Sequence, residues 1–501
     1  MKHTYIILLI ALLAIKGESY AQGYATDALR FSQYEFGSTA RIKALGNAQT
    51  AMGGDLSSIS GNPAGLGLYT KSEFAFTPEL MNYNTTSRYF NQSTDASRGQ
   101  VGISNVGAVF AIKLNKVKGQ DLKKGALALN FGIGYSKTSN FGNKIMFSGV
   151  NNQNSIANFY ADLGNNSKGT NLAAGSIPDA AYESQLINYN NTYTAITNPN
   201  PTQEETIIRK GSQSEFNLAA GLNVGNKVYF GAAVGILGIN YSSDNTFTES
   251  GTLSYADPRG NYQENYSNNY YQRFESKGTG VNAKFGMIFR PSKFLRLGAN
   301  IQSPNWYTID DNYSESIRTR LTNNPYFTDQ EVKSQNQQFE TYTYNLRTPA
   351  KFSLGAALLS GKIGFITGDV EFVDYSSMEL SEPDSYNSGD VAEDNRFIVN
   401  NYKNAVNYKV GAEVKAGPQF MLRAGYGVTG SPMENSVQDL EIKTYSFGGG
   451  YRAGNLSLDV AFINNTRNSS LSPYLLDSGV NPVATSKNVK NGVFITIATR
   501  F

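Results

Sequence analysis

In one short segment after another along this chain every second residue is apolar, and the segments are joined alternately by tight turns and long polar stretches. Leu456, Leu458, Val460 and Phe462 share one face, while Ser457, Asp459 and Ala461 share the other. Tyr408, Val410, Ala412 and Val414 alternate with Lys409, Glu413 and Lys415. Val281, Ala283, Phe285, Met287 and Phe289 alternate with Asn282, Lys284, Gly286 and Arg290, and Phe216, Leu218, Ala220 and Leu222 oppose Glu215 and Asn217. A period of two belongs to strands with unlike faces. The joints at Gly225-Asn226, Pro291-Ser292, Ser360-Gly361, Gly417-Pro418 and Arg452–Gly454 are tight, whereas 140–211, 303–340 and 376–400 are long. A soluble sandwich also alternates. Short turns at one rim and long loops at the other are the pattern of a barrel that crosses an outer membrane.

Strands are expected at about 72–90, 101–115, 125–139, 213–225, 227–245, 266–290, 293–302, 342–359, 361–375, 400–416, 419–429, 440–452, 455–465 and 489–501. Fourteen is an even number, as a bacterial barrel requires. It returns Phe501 to the rim where the first strand begins. Val493, Ile495, Ile497, Thr499 and Phe501 share a face, and a terminal outward aromatic resembles the assembly signal of outer-membrane barrels. Composition agrees: 49 Gly, 32 Tyr and 28 Phe suit an all-β chain with aromatic girdles. A mean hydropathy of −0.37 is no objection, because only alternate residues of such strands meet lipid.

Residues 1–21 read as a signal peptide. Lys2 and His3 are basic, Tyr5–Ile15 is apolar, and Ser19-Tyr20-Ala21 is a small-x-small cleavage site. The apolar run is too short to span a bilayer. Cleavage removes Lys2, Lys16 and Glu18, taking 43 basic and 40 acidic residues to 41 and 39. That balance is no nucleic-acid surface. The chain's one histidine, His3, leaves with the signal, and there is no Cys. Ser-His-Asp and Cys-His catalysis and His or Cys metal sites are thereby excluded, and haem is left only a Tyr or Met ligand. The acidic run 381–395 lacks fixed calcium-ligand spacing, so a solvated loop is expected there. No enzyme, metal or cofactor is expected.

Between signal and strands lies ALGNAQTAMGGDLSSISGNPAGLGL, residues 44–68. Ala40, Ala44, Ala48 and Ala51 recur at helical spacing, with Ser38 placed to cap. Gly53-Gly54 ends that helix, Asp55 caps a second, one-turn helix, and Pro63 holds Asn62 extended. Residues 22–70 therefore read as a compact plug, and 71–501 as the barrel.

A-x-x-A-M-G-G-D followed by N-P-A-G resembles the N-terminal hatch of the FadL-type outer-membrane transporters of fatty acids and hydrocarbons. RPSKFLRLGANIQSPNW (290–306), TPAKFSLGAAL (348–358), GDVEFVDYSS (368–377), LRAGYGVTGSPM (422–433) and YSFGGGYRAGNLSLDVAF (445–462) extend the resemblance over most of the chain. It implies a transmembrane β-barrel of about 14 antiparallel strands with a small helical hatch in its lumen. It also implies passive passage of hydrophobic molecules such as long-chain fatty acids, with sideways exit beside an inward-kinked third strand. It places hatch and gating roles on Gly53, Gly54, Asp55, Asn62, Pro63, Ala64 and Gly65, and the kink on Asn130, Gly132 and Gly134. The family's helical hairpin over the outer mouth maps to the loop 140–211, where NFYADLGNN and PDAAYESQLINY read as short helices.

Phe31, Tyr34 and Phe36 precede the hatch and are expected either to line a pocket or to pack the plug to the wall. By parity Lys284, Arg290, Arg296, Asp369, Glu371, Lys409, Glu413, Lys415, Arg423 and Asp459 face the lumen, where they either pair or, for a cation such as Lys284, Arg290, Arg296 or Arg423, hold a carboxylate. The expected partners are a fatty-acid-like ligand, outer-membrane lipid and the barrel assembly machinery, but no nucleic acid, and the chain is expected to act as a monomer in the outer membrane of a Gram-negative bacterium. The alternative is a haem-capturing or adhesive barrel acting through its loops.

Overall fold

Fourteen antiparallel strand passes close into one barrel in the computed structural model, which describes residues 23–115, 124–167, 172–257, 260–323, 329–382, 389–434 and 440–501. The expected signal peptide, residues 1–21, lies outside the described residues. The passes are β1 (Glu73–Tyr89), β2 (Gln92–Lys113), β3 (Ala126–Asn140, resumed at Asn143–Val150), β4 (Thr202–Val224), β5 (Val228–Asp257), β6 (Gly260–Ser292) and β7 (Leu295–Gln302, resumed at Trp306–Thr322). There follow β8 (Tyr342–Arg347, then Lys351–Ser360), β9 (Gly364–Asp374), β10 (Asn404–Lys415), β11 (Phe420–Thr429), β12 (Ile442–Ala453), β13 (Leu456–Leu471) and β14 (Ala484–Arg500). The breaks in β7 and β8 fall at Pro304 and Pro349, residues that cannot donate to a ladder. β14 closes on β1, from Glu73 opposite Arg500 to Tyr89 opposite Ala484.

The outer face follows the expected parity. Phe216 and Leu218, Phe285 and Met287, Val410 and Val414, and Leu458, Val460 and Phe462 are all exposed. Glu215, Asn217, Lys284, Glu413 and Asp459 on the same strands are buried inside. On the longest hairpin the exposed large apolar residues Phe230, Val234, Ile236, Val281, Phe285, Met287 and Phe289 all lie at the end away from the β5–β6 connection, near the tight turns from β4 and to β7. An apolar band is about 25 Å tall, whereas strands of 30 and 33 residues run on the order of 100 Å. β5 and β6 therefore project far beyond the bilayer on the outer side.

Several expected loops are structured. Residues 140–211 contain the upper part of β3, a helix α3 (Ile156–Asn166), a helix α4 (Ile177–Glu183), a hairpin of Ile187–Asn190 with Thr192–Ala195, and the start of β4. Residues 303–340 hold the upper part of β7 and two short strands, and 376–400 hold most of a helix α5 (Gly389–Asn401). Strand ends at 101, 213 and 465 thus fell short, because polar strand extensions outside the bilayer carry no apolar alternation. Ile156, Tyr160, Ile177 and Ala181 are buried against Phe247, Tyr266, Tyr270 and Tyr474, so the projecting sheet has its own small core.

Candidate functional site: the plug and its seat

Residues 23–69 lie within the barrel. The first helix, α1 (Tyr24–Ser32), is followed by α2 (Ala40–Lys43) and by two 3-10 turns at Leu56–Ile59 and Pro63–Leu68. The single helix expected through Ala51 does not form. Gly46 and Asn47 both take positive φ, 67° and 64°, and a left-handed pair ends a helix. Thr39, not Ser38, occupies the cap position; the Ser38 hydroxyl instead donates to Asn47 Oδ1 at 2.5 Å. Asp55 does cap its turn, accepting from Ser57 N. Asn62 is extended, at φ −91° and ψ 104°. After Pro63, however, the chain coils into a 3-10 turn, because Pro is well placed in a first helical turn.

The plug buries Ile42, Leu45, Leu56, Ile59 and Leu66 in small separate clusters against the wall, and polar groups tie it there as well. The Asn62 amide donates to the carbonyls of Thr50 (2.7 Å), Ala299 (3.2 Å) and Met287 (3.3 Å), while its Oδ1 accepts from Ala64 N. Met287 lies on β6 and Ala299 on β7. On β9, Asp369 Oδ2 accepts from Gln49 N, Thr50 N and the Thr50 hydroxyl at 2.7–2.9 Å. Lys284 donates to Ser60 O (2.7 Å) and is neutralised by Glu215. The Asn130 amide donates to Leu66 O (2.7 Å) and Tyr69 O (3.0 Å). Ala40 N reaches the Thr496 hydroxyl, Gly46 N the Ser446 hydroxyl, and Lys351 Nζ the Tyr34 carbonyl. Buried hydrogen bonds of this kind contribute about 0.5–1.5 kcal/mol each, and those to charged groups about 1.5–3.

Close approach of backbone to wall requires glycine. A Cβ at Gly286 would collide with Asn62 Oδ1, and one at Gly231 with the Pro63–Ala64 peptide. The abundance of Gly in strands is thus partly the imprint of the plug.

Above these ties, α1 fills the upper lumen. Ala28, Leu29 and Phe31 pack with Tyr241, Tyr307, Tyr344 and Tyr375, and Phe31 is fully buried. Asp27 is buried beside Arg30; burial raises its carboxyl above the usual range, and Arg30 opposes that shift. Tyr34 accepts from Gln302 and lies under Lys351, 3.5 Å from the ring centroid. Lys284, Lys351 and Lys409 stand 5.8–5.9 Å from the Phe36 ring. Phe31, Tyr34 and Phe36 therefore all pack plug against wall.

A family model described as outer membrane protein transport protein (OMPP1/FadL/TodX) matches residues 25–472. The chain belongs to this family. It is an outer-membrane β-barrel of a family that transports hydrophobic compounds. In fold it is similar to the toluene transporter TodX of P. putida (12% identity, TM-score 0.50, covering 93% of this chain and 99% of that one). It is likewise similar to a FadL homologue of Pseudomonas aeruginosa (13% identity, TM-score 0.52, covering 92% and 98%). No curated protein sequence matches the chain.

Within this FadL-type barrel the remaining residues fall into place. Asn62, Pro63, Ala64 and Gly65 sit at the joint between plug and wall, and Gly53-Gly54 forms a left-handed corner at φ 58° and 68°. Arg423 pairs with Glu413 (2.7 Å) and Asp459 (2.6 Å). Arg296 donates to the Met52 carbonyl, and Arg290 is half-buried near the end of β6. Lys415, expected inside, is exposed at the rim, donating to Gly361 O.

Asn130, Gly132 and Gly134 lie where β3 is paired on both sides, to β2 and β4. There Gly132 makes room for Ile59, whose side chain a Cβ would meet at 2.7 Å. The β2–β3 ladder stops at Asn105 opposite Ser136. Above that point, β2 from Gln92 to Ile103 pairs with β1, while β3 from Lys137 to Val150 pairs with β4 across a register break at Lys137/Ser139. Side chains reach across the gap: Ser148 of β3 donates to Gln92 of β2 (3.3 Å), Lys137 of β3 pairs with Glu79 of β1 (2.5 Å), and Arg98 of β2 donates to the Arg209 carbonyl of β4 (2.6 Å).

Proposed function

We propose that this chain is a passive channel for hydrophobic, fatty-acid-like molecules, gated by movement of residues 23–69 and released sideways into the membrane. The observation that carries the reading is the interrupted β2–β3 ladder above Asn105 and Ser136. Two strands joined there by side chains rather than by backbone separate at lower cost than a paired seam. A hydrophobic solute reaching the aromatic chamber now filled by α1 has that seam as its route to lipid.

Gating follows from the kind of contact the plug makes. It is held by hydrogen bonds at discrete points and by several small, separate apolar clusters, so it can shift contact by contact without unfolding one large core. That one similar fold belongs to a toluene transporter supports a hydrophobic substrate, and a fatty-acid-like one is this proposal's own narrower reading. A haem-capturing or adhesive barrel would not require a seat built for a plug. Purified protein in liposomes should accelerate equilibration of decanol without an energy source; a strict requirement for a proton gradient, or no acceleration at all, would contradict the proposal.

A further inference from the structure

At the rim of short turns a cavity of about 300 Å³ opens beneath the plug. Its wall carries Arg41, Arg296, Arg452, Arg500 and Lys71 against a single carboxylate, Glu413. Glu413 is already engaged by Arg41 (3.3 Å) and Arg423 (2.7 Å). Arg500 is paired with Glu73 at 2.6 Å, and Arg41 also faces Asp55 at 3.9 Å. Arg296 and Arg452 differ from these. Among the described residues neither forms an ion pair, and no hydrogen bond reaches the Arg452 guanidinium. The Arg296 Nε is buried with no partner. Arg452 has Asp459 and Glu413 nearby without contact, whereas Arg296 has no carboxylate beside it, and a buried guanidinium so placed is costly unless an anion joins it.

Beside Tyr69, Thr70 and the Gly53-Gly54 backbone, the wall carries an apolar strip of Met52, Leu68, Leu359 and Phe365. An inorganic anion would leave that surface unused, and a neutral hydrocarbon would leave the guanidiniums unpaired. We infer that this vestibule is a second binding site, selective for a carboxylate borne on an apolar tail. The guanidinium fork matches a carboxylate in two parallel charge-assisted hydrogen bonds. The site also touches the plug: Arg296 donates to the Met52 carbonyl, next to the Gly53-Gly54 corner. A carboxylate at Arg296 competes with that carbonyl, so occupancy loosens the corner. This inference rests on the proposed channel reading and deepens it, since it names the substrate's head group.

The test is equilibrium dialysis of radiolabelled decanoate against the purified full-length protein in detergent. R452Q is the cleaner variant because Arg452 makes no bond to the plug; R296Q/R452Q removes both charges. The expected result is decanoate affinity at least tenfold weaker in the double variant, partly weakened in R452Q and partly restored in R452K, with decanol binding alike in parent and R452Q. Unchanged decanoate binding in both Gln variants overturns the site. Displacement of decanoate by an equal concentration of inorganic phosphate also overturns it, as a general anion site without tail recognition. Decanol flux in liposomes keeps the two claims apart: flux with variant-insensitive decanoate binding sinks only this inference, and absent flux sinks the channel reading while the dialysis still decides the site.

Discussion

One carboxylate oxygen of Asp369, on the barrel wall, accepts three hydrogen bonds from the plug, two of them from Thr50 through its backbone N–H and its hydroxyl. Wall and plug are joined directly at this point. Asp369→Ala removes the shared acceptor of all three bonds at once. At about 1.5–3 kcal/mol per hydrogen bond to a charged group, the docked plug loses several kcal/mol, while no β-ladder bond changes. The expected result is a barrel of normal abundance whose plug residues exchange amide hydrogens faster, measured by mass spectrometry on peptides spanning 45–60. Unaltered exchange there would show that Asp369 does not hold the plug.

Asn62 and Pro63 make a second test. Asn62 bonds Thr50 within the plug and the wall carbonyls of Met287 and Ala299; Pro63 presets the turn that follows. N62A/P63A should assemble normally and shift hydrophobic uptake by more than it shifts barrel abundance. Parent-like uptake, with unaltered labelling of cysteines introduced around the plug, would reduce the pair to a linker.

Much of this was legible in the chain, and the reasons are physical. Lipid demands apolar residues on alternate positions, so Leu458, Phe462 and Val410 declared both strand and face, and their inward neighbours Asp459 and Lys409 declared the lumen. The seat was harder to read. Asp369 had the right parity, yet nothing in GDVEFVDYSS tells a plug-binding acid from one paired across the lumen. Lys351, Gln302 and Ser446 were missed because their partners lie hundreds of residues away in the plug. The helix expected over Ala40–Ala51 failed at Gly46-Asn47, a pair whose left-handed φ is a known helix stop. The polar upper strands of 143–150, 202–212 and 306–322 were hidden because, outside the bilayer, strands pair without an apolar face.

The side-chain seam between β2 and β3 gives a third expectation. Gly142 faces Gln100 across it; a Cβ there would lie 2.5 Å from Gln100 Oε1. Q100C/G142C should cross-link on oxidation in a chain that otherwise has no cysteine. Oxidised protein should pass decanol at least tenfold more slowly than the same protein reduced. Equal rates would rule out lateral release through this seam.

Membrane residence has its own simple check. Strands hydrogen-bonded to both neighbours over most of a closed barrel resist detergent until heated, so unboiled and boiled samples should migrate differently on a detergent gel, and membrane fractions should retain the protein. Recovery as a soluble periplasmic species would contradict the barrel's placement in lipid.

Plug movement is the claim on which the proposed mechanism turns, and a reversible tether at the Asp369–Thr50 contact tests it directly. The Thr50 hydroxyl lies 2.8 Å from Asp369 Oδ2, so T50C/D369C brings two thiols within reach of a disulfide without other changes. Decanol equilibration in liposomes is measured before and after reductant on one preparation. Oxidised protein should be nearly silent and reduced protein should recover at least the parent rate, since reduction also leaves the plug without its Asp369 anchor. Parent-like flux through the fully cross-linked barrel would mean that solute passes a stationary plug, and the gated route would be wrong.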